Sequence, residues 1–164
     1  MAMKEAFFAE FDHEMATTRK LLERVPEDRL AWKPHERSMS LGGLAQHVAN
    51  IPHWSTVILK QREFDQADAP PRLAEPHSRA EILQLFERTT KEARAAMDIS
   101  DPEWMAPWTF KQSGHEVFTL PKAAALRGWV MNHGVHHRGQ LSVYLRMLNV
   151  PLPAMYGPSA DEAQ

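Results

Sequence analysis

Along most of the chain apolar residues recur at steps of three and four with charged residues between them, the period of a helix that lies on a core. Over residues 3–25, Phe7, Phe8, Phe11, Met15, Leu21, Leu22 and Val25 make one stripe, and Glu5, Glu10, Arg19, Lys20 and Glu23 lie between them, which predicts a first amphipathic helix. The next stretch, VPEDRLAWKPHERSMS, holds Pro26 and Pro34 and no sustained period. It reads as a structured loop, anchored to the core by Trp32 and ending near Ser40 as an N-cap. A second helix is expected over residues 41–62, with Leu44, His47, Ile51, Trp54 and Ile58 on its core face and a kink at Pro52.

FDQADAPPRLAEPH is polar and proline-rich and reads as a connector. Ser78 then caps a third helix whose stripe is Ile82, Leu83, Leu85, Phe86, Thr89, Ala93, Ala96 and Met97, and Glu81 completes a capping box. Residues 101–120 place Trp104, Trp108, Phe110 and Phe118 around a Ser113–Gly114 turn signal, which predicts a short hairpin or an ordered loop over one end of a bundle. The last helix, residues 121–148, has Pro121 at N1 and Leu126, Val130, His133, His137, Leu141, Tyr144 and Leu148 on one stripe, and Asn149 and Pro151 stop it. No repeat, low-complexity tract or long linker interrupts this order. The expectation is an all-α four-helix bundle in which residues 1–164 form one domain.

Composition narrows the function classes. A chain of 164 residues can bury roughly 70% of its unfolded surface in one core without staples. It has no cysteine, which removes disulfides, thiolate ligands and a cysteine nucleophile, leaves His, Asp and Glu to bind metal, and suits a reducing cytosol. With 19 basic and 21 acidic residues and a formal charge of −2, there is no basic footprint for nucleic acid. Acids inside the first apolar stretch make it a helix start rather than a signal peptide. No apolar run approaches the roughly 18 residues of a membrane span. A soluble, cytoplasmic protein is expected.

Nine histidines remain to be explained. His133 and His137 are four residues apart, so on a helix they project from one face close enough to share a metal ion, and that face is the apolar one. His47 lies on the core stripe of the second helix, between Leu44 and Ile51, where packing can bring it opposite the pair. A single buried histidine is ordinarily a core group with a hydrogen-bond partner. Three imidazoles on apolar stripes cost desolvation unless something binds them, and one metal ion satisfies all three lone pairs. His136 is rotated off the stripe and His53 points to another side of its helix, while His13, His35, His77 and His115 fall on polar faces or in loops.

The segment NHGVHHRGQLSVYLRMLNVPLPAMYGPS resembles the C-terminal signature of the DinB/YfiT-like superfamily (the DinB family), regarded as metalloenzymes. SMSLGGLAQHVAN resembles the second-helix segment of that family, and a WKP element precedes it. The resemblance covers essentially the whole chain, with residues 64–118 similar in character only. It implies an up-down-down-up four-helix bundle with three histidine ligands, carried over here to His47, His133 and His137. Pro52, and Asn149 where glycine is more usual, are departures that touch local backbone geometry alone.

Three neutral histidines leave a coordination position open, as catalytic sites do. The resemblance implies one divalent transition metal, zinc or nickel, and thiol-dependent S-transfer with a low-molecular-weight thiol such as bacillithiol, mycothiol or glutathione. It also suggests a homodimer. Arg138 and Gln140, with His136, are candidates for orienting a thiol cofactor or supporting the ligands, although for Arg138 a surface or inter-helix salt bridge is the favoured reading. Two alternatives stand beside this one: hydrolysis of a small substrate by metal-activated water, for which Glu14, Asp12 and Glu116 are the available bases, and a stress-related protein that binds metal or a small molecule without turnover.

Overall fold

The computed structural model describes residues 3–162. In chain order it contains α1 (Met3–Leu22), α2 (Leu41–Asn50), α3 (His53–Lys60), β1 (Glu63–Asp65), α4 (Arg79–Ala96), α5 (Asp101–Met105), β2 (Pro107–Gln112), β3 (His115–Pro121), α6 (Lys122–Leu126), a π-helical segment (Arg127–Asn132) and α7 (His133–Met147).

The all-α four-helix bundle expected from periodicity is not what forms. The three strands make a mixed sheet of order β1-β2-β3, so the fold is α+β. The halves α2 and α3 meet at a break, and α6, the π segment and α7 follow one another directly. With each of those counted once, and with α1, α4 and the short α5, five helical segments replace the four expected. β1 was hidden because it spans three residues in the proline-rich connector and gains its structure from parallel pairing with β2, Phe64 beside Phe110. No local period can announce a strand whose hydrogen bonds come from a distant partner.

Of the two readings of residues 101–120, the hairpin forms over residues 107–121, while residues 101–105, expected to be part of that hairpin or loop, make the short helix α5. Ser113 (φ 52°) and Gly114 (φ 80°) both have positive φ, the requirement of a two-residue turn whose twist suits the paired strands. Asp65, at the end of β1, accepts the Ser113 N–H at 2.9 Å, the Gly114 N–H at 2.5 Å and the Ala67 N–H at 2.9 Å. The bond from Ala67, then that from Gly114, holds its carboxyl below the usual carboxylate range. Phe64, Phe110 and Phe118 share one row across the sheet, with stacked ring centroids 6.4 and 5.5 Å apart, the side-chain pairing that stabilises a small sheet.

Two apolar clusters result. The larger joins Phe11, Leu22, Leu44, Ile82, Met97, Trp104, Leu126 and Leu141 from the helices. The smaller, Val57, Ile58, Trp108 and Ala125, lies where the sheet aromatics, Trp54 and Trp129 pack on α3 and α6. Trp32 packs against the large cluster and meets Tyr144 edge-on at 5.6 Å, so the loop before α2 is anchored as expected.

Caps set the helix ends. The Ser40 hydroxyl accepts the Gly43 N–H at 2.9 Å and donates to Glu75 at 2.6 Å. A Cβ on Gly43 would lie 2.8 Å from the Ser40 oxygen and 2.9 Å from a Glu75 oxygen, so any larger residue there would have to displace the capping hydroxyl and its carboxylate partner. Ser78 caps α4 by accepting the Glu81 N–H at 3.1 Å, but the Glu81 carboxylate reaches back to the His77 N–H at 2.9 Å, one residue earlier than in a standard capping box. At the Pro52 break, the buried Thr89 hydroxyl donates to the Ala49 carbonyl at 2.7 Å and ties α4 to α2.

The chain leaves α7 through Asn149 in the left-handed region (φ 59°). The Val150 N–H bonds to the Leu145 carbonyl and the Asn149 N–H to the Arg146 carbonyl, both at 3.0 Å, the two bonds of a Schellman cap. Asparagine tolerates this geometry less well than glycine and better than alanine. Asn149→Gly is therefore expected to hold or raise stability by a few tenths of a kcal/mol, and Asn149→Ala to lower it by about 1 kcal/mol. Urea unfolding of the two variants checks the order; alanine matching glycine would show that backbone conformation does not set the cost.

Candidate metal centre

The π segment positions the site. An α-helix would bond the His133 N–H to the Trp129 carbonyl; here it bonds to Gly128, five residues back, as well as to Val130. The wider turn buries both Val130 and Met131, and the single regular stripe expected through residues 126–133 is replaced by a shift in register. Such insertions concentrate at functional sites. The Trp129 carbonyl lies 3.3 Å from the His133 ring Nδ1. A carbonyl only accepts, so the Nδ1 carries the proton and the Nε2 keeps its lone pair.

His137, one turn on, is oriented in the same sense. Its Nδ1 is 2.7 Å from the Gln140 side-chain oxygen, again an acceptor, so its Nε2 is free as well. Opposite them, α2 presents His47, whose Nε2 lies 3.3 Å from the His133 Nε2. Two nitrogens about 2.0–2.1 Å from a shared tetrahedral centre are about 3.3 Å apart. Ring centroids are 5.1 Å apart for His47 and His133, 4.5 Å for His47 and His137, and 4.6 Å for His133 and His137. One ligand atom from each of the three falls within 4.8 Å of the others. The donor set fits a divalent ion: three imidazoles, two with the far nitrogen already engaged.

Electrostatics favour the ligand form. Burial, followed by the charges of His137, His133 and Arg72, lowers His47 to a pKa of about 4. Burial also lowers His133, against the Trp129 hydrogen bond, and lowers His137, against the Gln140 hydrogen bond. All three rings are thus neutral at physiological pH, as coordination requires.

Of the other residues singled out, Gln140 touches the site by holding His137. His136 is exposed and meets the His137 ring edge-on at 4.8 Å. Arg138 turns from the cluster toward α1, where its guanidinium pairs with Glu14, donates to the Glu14 carbonyl and the Thr18 hydroxyl at 3.0 Å each, and bonds the Tyr156 hydroxyl. His13, His35, His53, His77 and His115 are not in the cluster. Two contributors escaped the sequence reading. The Trp129 carbonyl acts only because the helix is irregular, and Arg72 lies in a connector where no spacing marks it.

No helix among the described residues is long and apolar enough to cross a membrane. The chain is 25% identical to the uncharacterized protein YjoA of Bacillus subtilis (strain 168) over 79% of its length and 80% of the relative's. It is 22% identical to the uncharacterized protein YrdA of the same organism, over 95% of the chain and 89% of the relative. Among solved structures, a DinB-like protein from Bacillus cereus ATCC 10987 superposes with a TM-score of 0.70 at 21% identity, covering 93% of this chain and 97% of the other. The crystal structure of YjoA gives a TM-score of 0.68 at 20% identity, covering 95% and 97%. These likenesses establish the fold, and the model of the DinB family matches residues 1–164, so the chain belongs to the DinB family.

Proposed function

We propose that the protein is a divalent-metal-dependent enzyme whose three-histidine site transfers a low-molecular-weight thiol to an electrophile. The observation that carries this is the convergence of His47, His133 and His137 with the far nitrogens of the last two held by Trp129 and Gln140. A divalent ion held by these three histidines would supply Lewis acidity that lowers the pKa of a bound thiol or water. Zinc and nickel both suit imidazole donors.

The chain's own residues prepare the site for that role. Burial keeps the three rings unprotonated, and the two acceptors fix their tautomers before any ion arrives. The hydrolytic reading is weakened by its missing base. Glu14 is taken by Arg138 and Tyr156, Asp12 by Arg94 at 3.0 Å, and Glu116 by the Thr119 hydroxyl at 2.9 Å. A cytoplasmic homodimer acting on a small molecule completes the proposal.

Elemental analysis of untagged protein tests the site. The parent is expected to hold about one equivalent of metal, and His47→Ala, His133→Ala and His137→Ala to lose it. A folded parent that stays empty after incubation with zinc, nickel and manganese would overturn the metal reading. The loaded protein is then expected to accelerate the reaction of a thiol with a halo-dinitroarene. Metal uptake with no acceleration for any thiol would leave a binding protein instead.

A further inference from the structure

We propose that Arg72 is the anion-holding residue of this site, and that the ligand it selects carries a carboxylate; the inference rests on the metal-centre reading and names the substrate class. A small ligand in such a site needs a second point of attachment to be oriented, and the candidate in α7, Arg138, is already neutralised by Glu14. Arg72 differs. It is exposed, and no ion pair or hydrogen bond of its side chain occurs among the described residues.

The connector carries Arg72 to the right level of α2. Glu75 is held by Ser40 at the start of that helix, and the Ala74 carbonyl accepts the Gln46 side-chain N–H at 2.8 Å. Pro76 lies 3.2 Å from where a Cβ on Gly42 would sit. Residues 76, 75 and 74 therefore run along α2 in the opposite sense to the helix, past positions 42, 43 and 46. Two more residues of extended chain advance about 6–7 Å, which is roughly one helical turn. That brings Arg72 alongside the turn that follows Gln46 and begins with His47. Pro70 and Pro71 stiffen the approach.

The charge is felt where this placement puts it. Arg72 acts on His47, and the other charges that act on the three rings are those of neighbouring histidines. A planar guanidinium without a protein partner is suited to paired hydrogen bonds with a carboxylate. An anion there would also offset the positive charge that a divalent ion brings to three neutral ligands.

The probes are mercaptosuccinate, which carries two carboxylates, and neutral mercaptoethanol, titrated into parent, Arg72→Gln and Arg72→Lys protein with and without zinc. Tryptophan fluorescence or calorimetry reads the affinities, and elemental analysis of the same samples reads zinc. Parent protein is expected to prefer mercaptosuccinate about tenfold or more, Arg72→Gln to lose that preference with zinc content and mercaptoethanol affinity unchanged, and Arg72→Lys to keep part of it. The preference should also shrink as salt rises. An equal preference in Arg72→Gln, or none in the parent, overturns the proposal. A protein that takes up no zinc yet binds mercaptosuccinate through Arg72 keeps the anion site and loses the metal reading. One that takes up zinc and ignores Arg72 does the reverse. Succinate locates the carboxylate: zinc that tightens mercaptosuccinate alone assigns it to the thiol, and equal behaviour assigns it to the electrophile, with Arg72 retained in both cases.

Discussion

Arg138→Met should destabilise the protein by about 3–5 kcal/mol, the cost of leaving one member of a buried ion pair without its partner. The guanidinium is 3% exposed and the Glu14 carboxylate 12%. Removing the cation strands Glu14, and it also takes a donor from the Thr18 hydroxyl and from the Glu14 carbonyl. Tyr156 still donates to Glu14 at 2.7 Å, but a neutral phenol does not replace a cation. For a chain of this size a loss of that order lowers the melting temperature by roughly 10 °C. The double variant Glu14→Leu with Arg138→Met should recover most of the loss, because the uncompensated charge is gone. Urea unfolding of the two single variants and the double measures the coupling. A single-variant loss below about 1 kcal/mol would show that the pair is screened in solution.

The second large effect is the response of stability to pH and to metal. His47 has a folded pKa of about 4 against an ordinary value of about 6.5, so between those values the unfolded chain binds more protons than the folded one. Stability therefore rises with pH across that window. It is fully present above about pH 6.5 and is lost as pH falls toward 4. His133 and His137, lowered in the same direction, add to the slope. For the half-buried His47 the contribution is about 1–2 kcal/mol once solvent screening is allowed for.

Zinc at about one hundred times its dissociation constant should add about 2.7 kcal/mol near neutral pH, and chelation should remove that increment. Acid should remove it too, since only neutral imidazole coordinates. Unfolding at pH 5 and 7.5, with zinc and with a chelator, in the parent and in His47→Gln, separates these contributions. The prediction fails if the variant keeps both the parent's acid slope and its zinc increment.

The site was far more legible in the sequence than the sheet. The spacing of His133 and His137 and the core position of His47 follow from helical periodicity, which is a local property, and the structure brings those three rings together. The caps at Ser40 and Ser78 were legible for the same reason, as their partners lie three residues on. The π segment was not. A register shift inside an apolar helix leaves both Val130 and Met131 buried, and a sequence cannot say which of two regular stripes gives way. Gln140 was legible as a candidate near the site, but its bond to His137 depends on side-chain rotamers that the three-residue spacing does not fix.

By itself, then, the sequence determined the long helices α1 and α4, the caps at Ser40 and Ser78 and the histidine pair on one face of α7, because each is encoded by residues within a turn or two of one another. Tertiary structure alone decided the rest. It placed β1 beside β2, joined Arg138 to Glu14 across two helices, and laid the connector along α2 so that the charge of Arg72 falls on His47. Each of these joins residues far apart in the chain. Which distant groups meet is set by the packing of the whole core and by the need to pair buried polar groups, and neither leaves a local period to read.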